Sequence, residues 1–375
     1  MRNLTSPVGP DIRIVGVGGG GCNAITRMME RGIFGVSYIA MDTDSQKLRE
    51  TKAEQKVALG QNITGGLGAG GDVGKGRLAA EQSYKEIKGA LDGADMIFIT
   101  AALGGGTGTG AAPFVAQVAR EVGALTMAVV TTPFEFERKR RMQIAQQGIQ
   151  ALSEWVNAYL VIHNQRLFQI TDRRTTLLEA FQLADDVLRQ AVQGIAEVVT
   201  RPGLINVDFA DVRAVLQSAG PVLMGLAEAP DDRPAEDIVK MAVSSPLLDS
   251  GIIGATNLLL NMTISPQTPL HQVYAIADAV ARETCTEEPN IHFGAVVDPE
   301  IRSRVRLTVI ATAFVSGSEM LRLIEEQKRR LQGQNPSPAL LASQTPLSKP
   351  LEEPELPQFH LALRGKGSSS SDANA

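Results

Sequence analysis

The sequence predicts an α/β protein with a doubly wound parallel sheet, a long central helix, a smaller mixed α/β second domain and a disordered C-terminal tail. The first observation is that short, nearly continuous apolar segments alternate with longer amphipathic ones over residues 12–165. Such alternation is typical of parallel strands whose two faces are covered by crossover helices. The second observation is the length of 375 residues, which accommodates about two ordinary domains.

Five strands and four helices are predicted in the first domain, residues 11–174. The strands are apolar and rich in β-branched residues, and they cover residues 12–17, 36–41, 96–100, 125–131 and 159–162. The helices are amphipathic and cover residues 22–30, 75–91, 110–121 and 139–157. Sheets of this kind bind ligands at the carboxyl ends of their strands, so we expect the site there.

A long amphipathic helix, residues 175–201, is predicted to follow. Its apolar residues recur at spacings of three and four, and Thr176 with Glu179 forms a capping-box pattern at its start. About 25 helical residues at 1.5 Å each span about 37 Å, enough to join two domains.

The second domain, residues 202–316, is predicted to be a structural or assembly unit because it contains no glycine-rich loop. Its predicted strands lie near residues 222–226, 256–264, 292–297 and 305–314, and its helices near 235–244 and 271–283.

The ends of the chain differ in composition from these domains. Residues 1–10 are predicted to be flexible, 317–332 to be a charged helix, and 333–355 to be a proline-rich disordered linker. Residues 356–366 are a short apolar and basic cluster, interpreted as a docking peptide ahead of a disordered tail at 367–375. The alternative for this cluster is an ordinary frayed terminus.

Composition excludes several classes of protein. Hydrophobic residues make up 43% and the net charge is -5, so neither a disordered chain nor a nucleic-acid-binding protein is expected. Cys22 and Cys285 are far apart, which excludes a disulfide scaffold or a zinc finger. No apolar segment is long enough to cross a bilayer and no signal-peptide core is found, so we expect a cytoplasmic protein without membrane insertion.

A first glycine-rich loop, residues 16–21, follows the first predicted strand and reads G-x-G-x-x-G, and Asp42 ends the next strand. Without a Cβ the backbone can approach a phosphate closely, and the start of the following helix attracts the anion. By itself this loop fits either a nicotinamide-dependent dehydrogenase or a purine nucleoside phosphate site.

A second loop, residues 103–110, contains five glycines and two threonines after the strand at 96–100. Its successive N–H groups can form an anion-binding nest, and its hydroxyls can reach phosphate oxygens. A second phosphate cradle suits a nucleoside triphosphate better than a dinucleotide. A third loop, residues 65–72, is interpreted either as a cover over the terminal phosphate or as a solvent loop. Because no cluster of ligating residues is found, any Mg²⁺ is expected to be held mainly by phosphate oxygens and water.

Residues 104–110, GGGTGTG, are similar to the signature of the tubulin/FtsZ family of GTPases, and residues 11–316 resemble bacterial FtsZ, the cell-division member. The resemblance implies a tubulin-like fold, GTP or GDP with Mg²⁺ as ligands, and filaments assembled head to tail. The residues assigned to the nucleotide are Gly19, Gly20, Gly21, Cys22, Asn23, Asp42, Gly70, Gly71, Gly105, Gly106, Thr107, Gly108, Thr109, Glu137, Arg141, Asn164, Phe181 and Asp185.

Several of these assignments have a structural alternative. Glu137 and Arg141 correspond to the family's ribose-contacting pair, but their spacing also suits a salt bridge within one helix. The resemblance implies that the Asp185 carboxylate accepts from guanine and that Phe181 stacks on the base, whereas periodicity alone makes Phe181 a core residue. The chain departs from the family at Asp42, where asparagine is common, and at Arg138, where glycine is usual.

Residues 203–211 match the family's loop that acts on the neighbouring subunit, with Asn206, Asp208 and Asp211 as the candidate catalytic residues. From the residues alone, Asp208 is a helix N-cap and Asp211 lies in the first turn of that helix. The resemblance implies that these carboxylates polarise the water that attacks the γ-phosphate of GTP bound to the adjacent subunit. Hydrolysis would then require polymerisation, and both roles can coexist.

Together, these features predict a cytoplasmic GTPase at the mid-cell division site. The expected partners are further copies of the chain, and membrane adaptor and division proteins bound through residues 356–366. Two alternatives stay open: a nicotinamide enzyme, and a catalytically weak filament partner or regulator of a second family member.

Overall fold

A computed structural model describes residues 9–169, 171–172, 174–201, 203–244, 251–301, 303–315, 320, 322–323 and 325. The predictions for residues 1–8, for most of the charged helix at 317–332, and for the linker, docking peptide and tail fall outside these residues. No helix in the described part of the chain is long and apolar enough to cross a membrane.

The described residues form two sheets with helices packed around them. The strands are β1 (Ile12–Val17), β2 (Val36–Asp42), β3 (Gln55–Ala58), β4 (Met96–Ala102), β5 (Leu125–Thr132), β6 (Ala158–His163), β7 (Gly220–Pro221), β8 (Leu223–Pro230), β9 (Ala255–Ile264), β10 (Asn290–Val297) and β11 (Arg304–Phe314). The helices are α1 (Gly18–Arg31), α2 (Ser45–Glu50), α3 (Gln61–Thr64), α4 (Val73–Gln82), α5 (Tyr84–Leu91), α6 (Thr107–Glu121), α7 (Lys139–Ser153), α8 (Leu177–Thr200), α9 (Phe209–Leu216), α10 (Ala235–Val243) and α11 (Leu270–Glu283).

The first sheet contains seven parallel strands in the order β3-β2-β1-β4-β5-β6-β7. Its strands are apolar throughout because both faces are buried: Ile12 and Ile14 face a core shared with α1 and α8, whereas Val15 and Val17 face a core shared with α4 to α7. This arrangement confirms the predicted fold class, and the five strands predicted in this domain are all present.

The central helix α8 begins where the capping-box pattern predicted. The Thr176 hydroxyl accepts the Glu179 N–H at 3.2 Å, and the Glu179 carboxylate accepts the Thr176 N–H at 2.7 Å. The buried side of α8 packs on the first sheet, and Met224, Leu259 and Ile310 of the second sheet join the same core. The helix therefore connects the two sheets through one continuous apolar contact.

The second sheet is mixed, with the order β10-β9-β11-β8, in which β9 and β10 are parallel and β11 is antiparallel to both neighbours. Helices α10 and α11 cover its outer face. The strand predicted near 222–226 begins at Leu223, and the two residues of β7 just before it pair instead with β6 of the first sheet.

Several helix boundaries differ from the prediction. The helix predicted over 75–91 is two helices, because the Ser83 hydroxyl accepts the Gly60 N–H at 2.9 Å and the chain turns there. Helices α1 and α6 begin earlier than predicted, since glycines of the loops form their first turns. Helix α7 ends at Ser153, before Asn157, whose side chain bonds the backbone of Thr126 and Gln217.

Candidate nucleotide site

A cavity of about 420 Å³ lies at the carboxyl edge of the first sheet, where sequence reasoning expected a ligand. Its wall is formed by the ends of β4, β5 and β6, by the starts of α1 and α6, and by one side of α8. The lining residues are Gly18, Gly19, Gly20, Asn23, Ala102, Leu103, Gly105, Gly106, Thr107, Gly108, Thr131, Thr132, Pro133, Glu137, Arg141, Asn164, Phe181, Ala184 and Asp185.

Two helix N-termini point their first turns into this cavity. Helix α1 starts at Gly18, directly after β1, and α6 starts at Thr107, after the neighbouring strand β4. Neither helix has a side-chain hydrogen bond capping its start, so the first-turn N–H groups are available to an anion. Two positive helix ends at adjacent strands suit a ligand with several phosphates better than one with a single charge.

The glycines of the two loops divide into two groups. A Cβ on Gly20 would lie 2.4 Å from the Cβ of Ala102, and one on Gly108 would lie 2.7 Å from the Ala102 carbonyl oxygen. These glycines allow the two loops to pack against each other. By contrast, a Cβ on Gly19 would have only Asp42 Oδ2 within 4.0 Å, and one on Gly105 only the Arg141 guanidinium at 3.9 Å. Gly19 and Gly105 therefore face the open cavity.

Three predicted residues of these loops lie behind the cavity wall. Gly21 packs against the Thr100 carbonyl, and the Thr109 hydroxyl accepts the Gly104 N–H at 2.8 Å. Cys22 is completely buried in α1, and burial, together with the nearby Asp42 charge, raises the pKa of its thiol to about 12. Desolvation therefore outweighs the effect of the helix N-terminus on this thiol.

The third glycine loop lies beside the cavity without lining it. Asp72 ends the loop as the N-cap of α4, where its carboxylate accepts the Lys75 N–H at 3.1 Å. Gly70 and Gly71 both adopt positive φ angles, and a Cβ on either would meet nothing within 4 Å. Their contact with a terminal phosphate stays a proposal.

Asp42 is a buried carboxylate behind Gly19. Its Oδ1 accepts the Thr43 N–H at 2.7 Å and the Asp44 N–H at 3.3 Å, while its Oδ2 is buried with no hydrogen-bond partner among the described residues. Burial raises the pKa of this carboxyl, although the two backbone N–H groups oppose the shift. The next residue, Thr43, contacts Thr107 of the second loop through their hydroxyls at 2.6 Å.

Glu137 and Arg141 form the salt bridge that their spacing allowed, with Arg141 Nη1 2.5 Å from Glu137 Oε2. The pair also lines the cavity. The other Glu137 oxygen accepts the Phe134 N–H at 3.0 Å, and Arg141 Nε donates to the Gly104 carbonyl at 3.4 Å. Arg141 thus ties α7 to the second glycine loop, and contact of this pair with a ribose stays a proposal.

Asn164, Phe181 and Asp185 also line the cavity. Phe181 is 39% exposed and its ring packs edge-on against Phe134 at 5.5 Å, so it is not the core residue that periodicity suggested. Asp185 is paired with Arg27 of α1, whose Nε donates to Asp185 Oδ2 at 2.8 Å. Sequence analysis missed Arg27, because no spacing links it to a residue so distant along the chain.

One polar atom of the cavity wall has no hydrogen-bond partner among the described residues. Asn164 is 5% exposed, and within the described part of the chain its Oδ1 is buried without a hydrogen-bond partner. A buried acceptor of this kind requires a donor from a ligand or water. Phe181, Asp185 and the uncapped starts of α1 and α6 line the same cavity as Asn164. The same described residues contain no group of three His, Cys, Asp or Glu side chains able to hold a metal ion.

The candidate catalytic acids are far from this cavity. Asp208 caps α9, and its Oδ1 accepts the Asp211 N–H at 2.8 Å, as predicted from the residues alone. Asn206 Oδ1 accepts the Gly203 N–H at 2.6 Å. Asp211 also contacts His292 of β10, with 3.3 Å between Oδ1 and Nδ1, a contact that sequence reasoning missed.

Comparisons with known proteins agree with this geometry. The model of the Tubulin/FtsZ family GTPase domain matches residues 11–172, and that of the FtsZ family C-terminal domain matches residues 220–315. An empty FtsZ dimer from M. jannaschii is 42% identical with a TM-score of 0.76, over 81% of this chain and 88% of that one. CetZ2 from Haloferax volcanii, a GTPγS-bound protofilament, is 22% identical with a TM-score of 0.70, over 86% of this chain and 99% of that one, and shares the fold.

The fold and the cavity are those of a GTPase domain, and the chain belongs to the tubulin/FtsZ family. Family membership decides the interpretation of the first glycine loop in favour of GTP or GDP and against a nicotinamide cofactor. The likeness found is to archaeal FtsZ, and a bacterial origin stays a prediction from the sequence.

Proposed function

We propose that this chain is a cell-division GTPase that polymerises head to tail and completes its active site at the contact between subunits. The observation that carries the proposal is that the nucleotide cavity and the loop with the candidate acids lie at opposite edges of one sheet. Ala102, the last residue of β4, lines the cavity. Asp95, just before β4, accepts a hydrogen bond at 3.5 Å from Arg213 of α9, the helix whose first turn holds Asp211.

The distance between these edges prevents a subunit from using its own acids. Seven residues of strand β4 span roughly 20 Å at about 3.3 Å each. Helix α8 gives a second measure, because it continues from Asp185 at the cavity to Thr200, roughly 22 Å further along its axis at 1.5 Å per residue. The acids therefore serve the cavity of a neighbouring copy stacked on them.

The chemistry divides between the two subunits. One contributes the uncapped starts of α1 and α6 to the phosphates, and Asn164 and Asp185 to the guanine. The other contributes Asp208 and Asp211, with Asn206 holding the loop, to orient a water molecule in line with the γ-phosphorus. Attack by the water oxygen breaks the bond from the γ-phosphorus to its bridging oxygen and yields GDP and inorganic phosphate.

Apolar side chains are exposed at both ends of this stack. Phe136 and Phe168 pack on Phe134 beside the cavity and are 49% and 50% exposed. Leu204 and Ile205 precede the acids and are 77% and 47% exposed. Burial of such side chains between copies gives a head-to-tail contact, and the dimer and protofilament described for relatives support self-association.

Further parts of the proposal rest on the family. Mg²⁺ would be held mainly by the phosphates and water, and it would neutralise charge on the triphosphate. Residues 356–366 would recruit membrane adaptor and division proteins to a cytoplasmic filament at mid-cell. Removal of residues 333–375 is expected to leave assembly intact and to abolish this recruitment.

Complementation between two inactive variants tests the shared site. Asp211→Ala keeps the cavity and lacks an acid, whereas Gly105→Val keeps the acids and fills the cavity. Each alone should hydrolyse little GTP, and an equimolar mixture should recover turnover because the acids of one variant face the intact cavity of the other. Parent GTPase activity per molecule should also rise with protein concentration.

Pelleting shows whether both variants enter the same filaments. If they do and the mixture still does not recover turnover, the shared site is contradicted. If Asp211→Ala hydrolysed GTP as fast as the parent, the acids would have no catalytic role. A parent that assembles and hydrolyses almost no GTP would support the alternative of a catalytically weak filament partner.

A further inference from the structure

The Asp211 carboxylate is held on both of its oxygens. Oδ2 accepts the Asp208 N–H at 3.4 Å, as part of the capping box of α9. Oδ1 faces Nδ1 of His292 at 3.3 Å, from the neighbouring strand β10. The Asp211 side chain is 42% exposed and the His292 side chain 21%, so the histidine stands behind a carboxylate that a second subunit can still reach.

The hydrogen bonds around His292 indicate which of its two ring nitrogens carries the hydrogen. The amide nitrogen of Asn290 lies 3.2 Å from His292 Nε2 and 3.5 Å from Oδ1 of Asn257 on β9. An amide nitrogen only donates, so Nε2 of a neutral His292 is the acceptor and Nδ1 carries the hydrogen. The Nδ1 N–H then faces Asp211 Oδ1 at 3.3 Å, so the Asn290 amide fixes the hydrogen that His292 presents to Asp211.

The strand that carries His292 also fixes the loop that leads to the acids. The Ala295 carbonyl accepts the N–H groups of Leu204 and Ile205 at 2.8 and 3.2 Å, and the Ala295 N–H donates to the Ile205 carbonyl at 2.9 Å. His292 and the loop are therefore attached to the same strand, and the position of Asp211 relative to the loop depends on both.

We propose that His292 is a positioning residue for hydrolysis: its Nδ1–H holds Asp211 in the one orientation that presents the carboxylate to the water bound in the adjacent subunit. The inference rests on the proposed in-trans role of Asp211. Without His292, only the long 3.4 Å bond from the Asp208 N–H would restrain the carboxylate. It would then sample several rotamers, and only the fraction in the productive one would contribute to turnover. His292 touches neither nucleotide nor water and acts only through Asp211.

Substitution of His292 in the full chain tests the inference. His292→Leu removes the donor, whereas His292→Asn places an amide nitrogen near the position of Nδ1 and keeps it. We expect His292→Leu to lower kcat roughly 10-fold with little change in KM for GTP, and His292→Asn to recover most of the loss. Assembly with a slowly hydrolysed GTP analogue should be unchanged in both. Asn290→Ala, at an exposed position, should lower kcat about twofold, because the hydrogen of His292 is then no longer confined to Nδ1.

Phe293→Leu is the matched control, because Phe293 is the next residue of β10 and packs on the core of the second sheet. It should lower the unfolding temperature without lowering kcat. Equal loss of kcat in His292→Leu and His292→Asn, or no loss in either, would overturn the positioning role. A loss of kcat in Asp211→Ala would in that case still support the in-trans proposal. Full turnover by Asp211→Ala would remove both proposals together.

Discussion

Arg27 Nε donates to Asp185 Oδ2 at 2.8 Å, across a separation of 158 positions in the chain. This ion pair joins α1, whose start lines the cavity, to α8, whose side lines the same cavity. Burial raises the pKa of the Asp185 carboxyl, and the hydrogen bond and charge of Arg27 oppose that shift. Arg27 thus favours the ionised form of the group assigned to guanine.

Asp185→Asn should weaken GTP binding about 10- to 100-fold, because a carboxylate can accept from both the ring N–H and the amino group of guanine and an amide cannot. Inosine triphosphate lacks the amino group, so the preference for GTP over this analogue should shrink in the variant. Competition against a fluorescent GTP analogue measures both affinities. Asp186→Asn is the matched control, since Asp186 pairs with Arg189 and Gln190 and does not line the cavity. An unchanged preference in Asp185→Asn would contradict the assignment.

Gly105→Val should abolish GTP binding, with an affinity at least about 100-fold lower, while the fold stays stable. The reason is that a Cβ at Gly105 points into the open cavity, with only the Arg141 guanidinium at 3.9 Å. Calorimetric titration and thermal unfolding separate the two effects. Gly89→Ala on α5 is the control: its Cβ has nothing within 4 Å, so binding should be unchanged and stability should rise by about 1 kcal/mol. Normal GTP affinity in Gly105→Val would place the phosphates elsewhere.

Asp42→Asn should raise the free energy of unfolding of the nucleotide-free protein by about 1 kcal/mol at neutral pH. Burial raises the folded-state pKa of Asp42, so this group favours folding only while it is protonated, and its contribution is lost as the pH rises through that pKa. The gain from Asp42→Asn should therefore shrink toward acid pH. Urea unfolding at several pH values measures it, with Asp44→Ala, which removes the N-cap of α2, expected to destabilise instead. A gain that grew toward acid pH would contradict this account.

Arg138→Gly should stabilise the protein by about 1 kcal/mol, because Arg138 has φ 82° and ψ 156°, a region occupied almost only by glycine. The midpoint of urea unfolding should rise with an unchanged slope. Arg140→Gly, two residues later within α7, should cost about 1 kcal/mol by the ordinary helix penalty of glycine. A lower midpoint for Arg138→Gly would mean that contacts of the arginine side chain outweigh its backbone strain.

Local patterns predicted the features that lie close together along the chain. The capping box of Thr176 and Glu179, the N-cap at Asp208 and the salt bridge between Glu137 and Arg141 each join residues three or four positions apart, and all were found. The break at Ser83 was missed, because its cause is the N–H of Gly60 from another segment. Residues 43–64 form α2, β3 and α3, and no element was predicted there. These elements are too short for their apolar residues to show a clear helical or strand periodicity.

The sequence by itself determined that a strand, a glycine-rich loop and a helix follow one another twice, because that order is contiguous and each part has its own residue pattern. Only the tertiary structure decided which glycines face the cavity, since β1 and β4 must first lie side by side for Gly20 and Gly108 to pack against Ala102. It also paired Asp185 with Arg27 and Asp211 with His292. Such pairs depend on distance through space. The packing of helices and strands sets that distance, and it cannot be predicted from the spacing of residues along the chain.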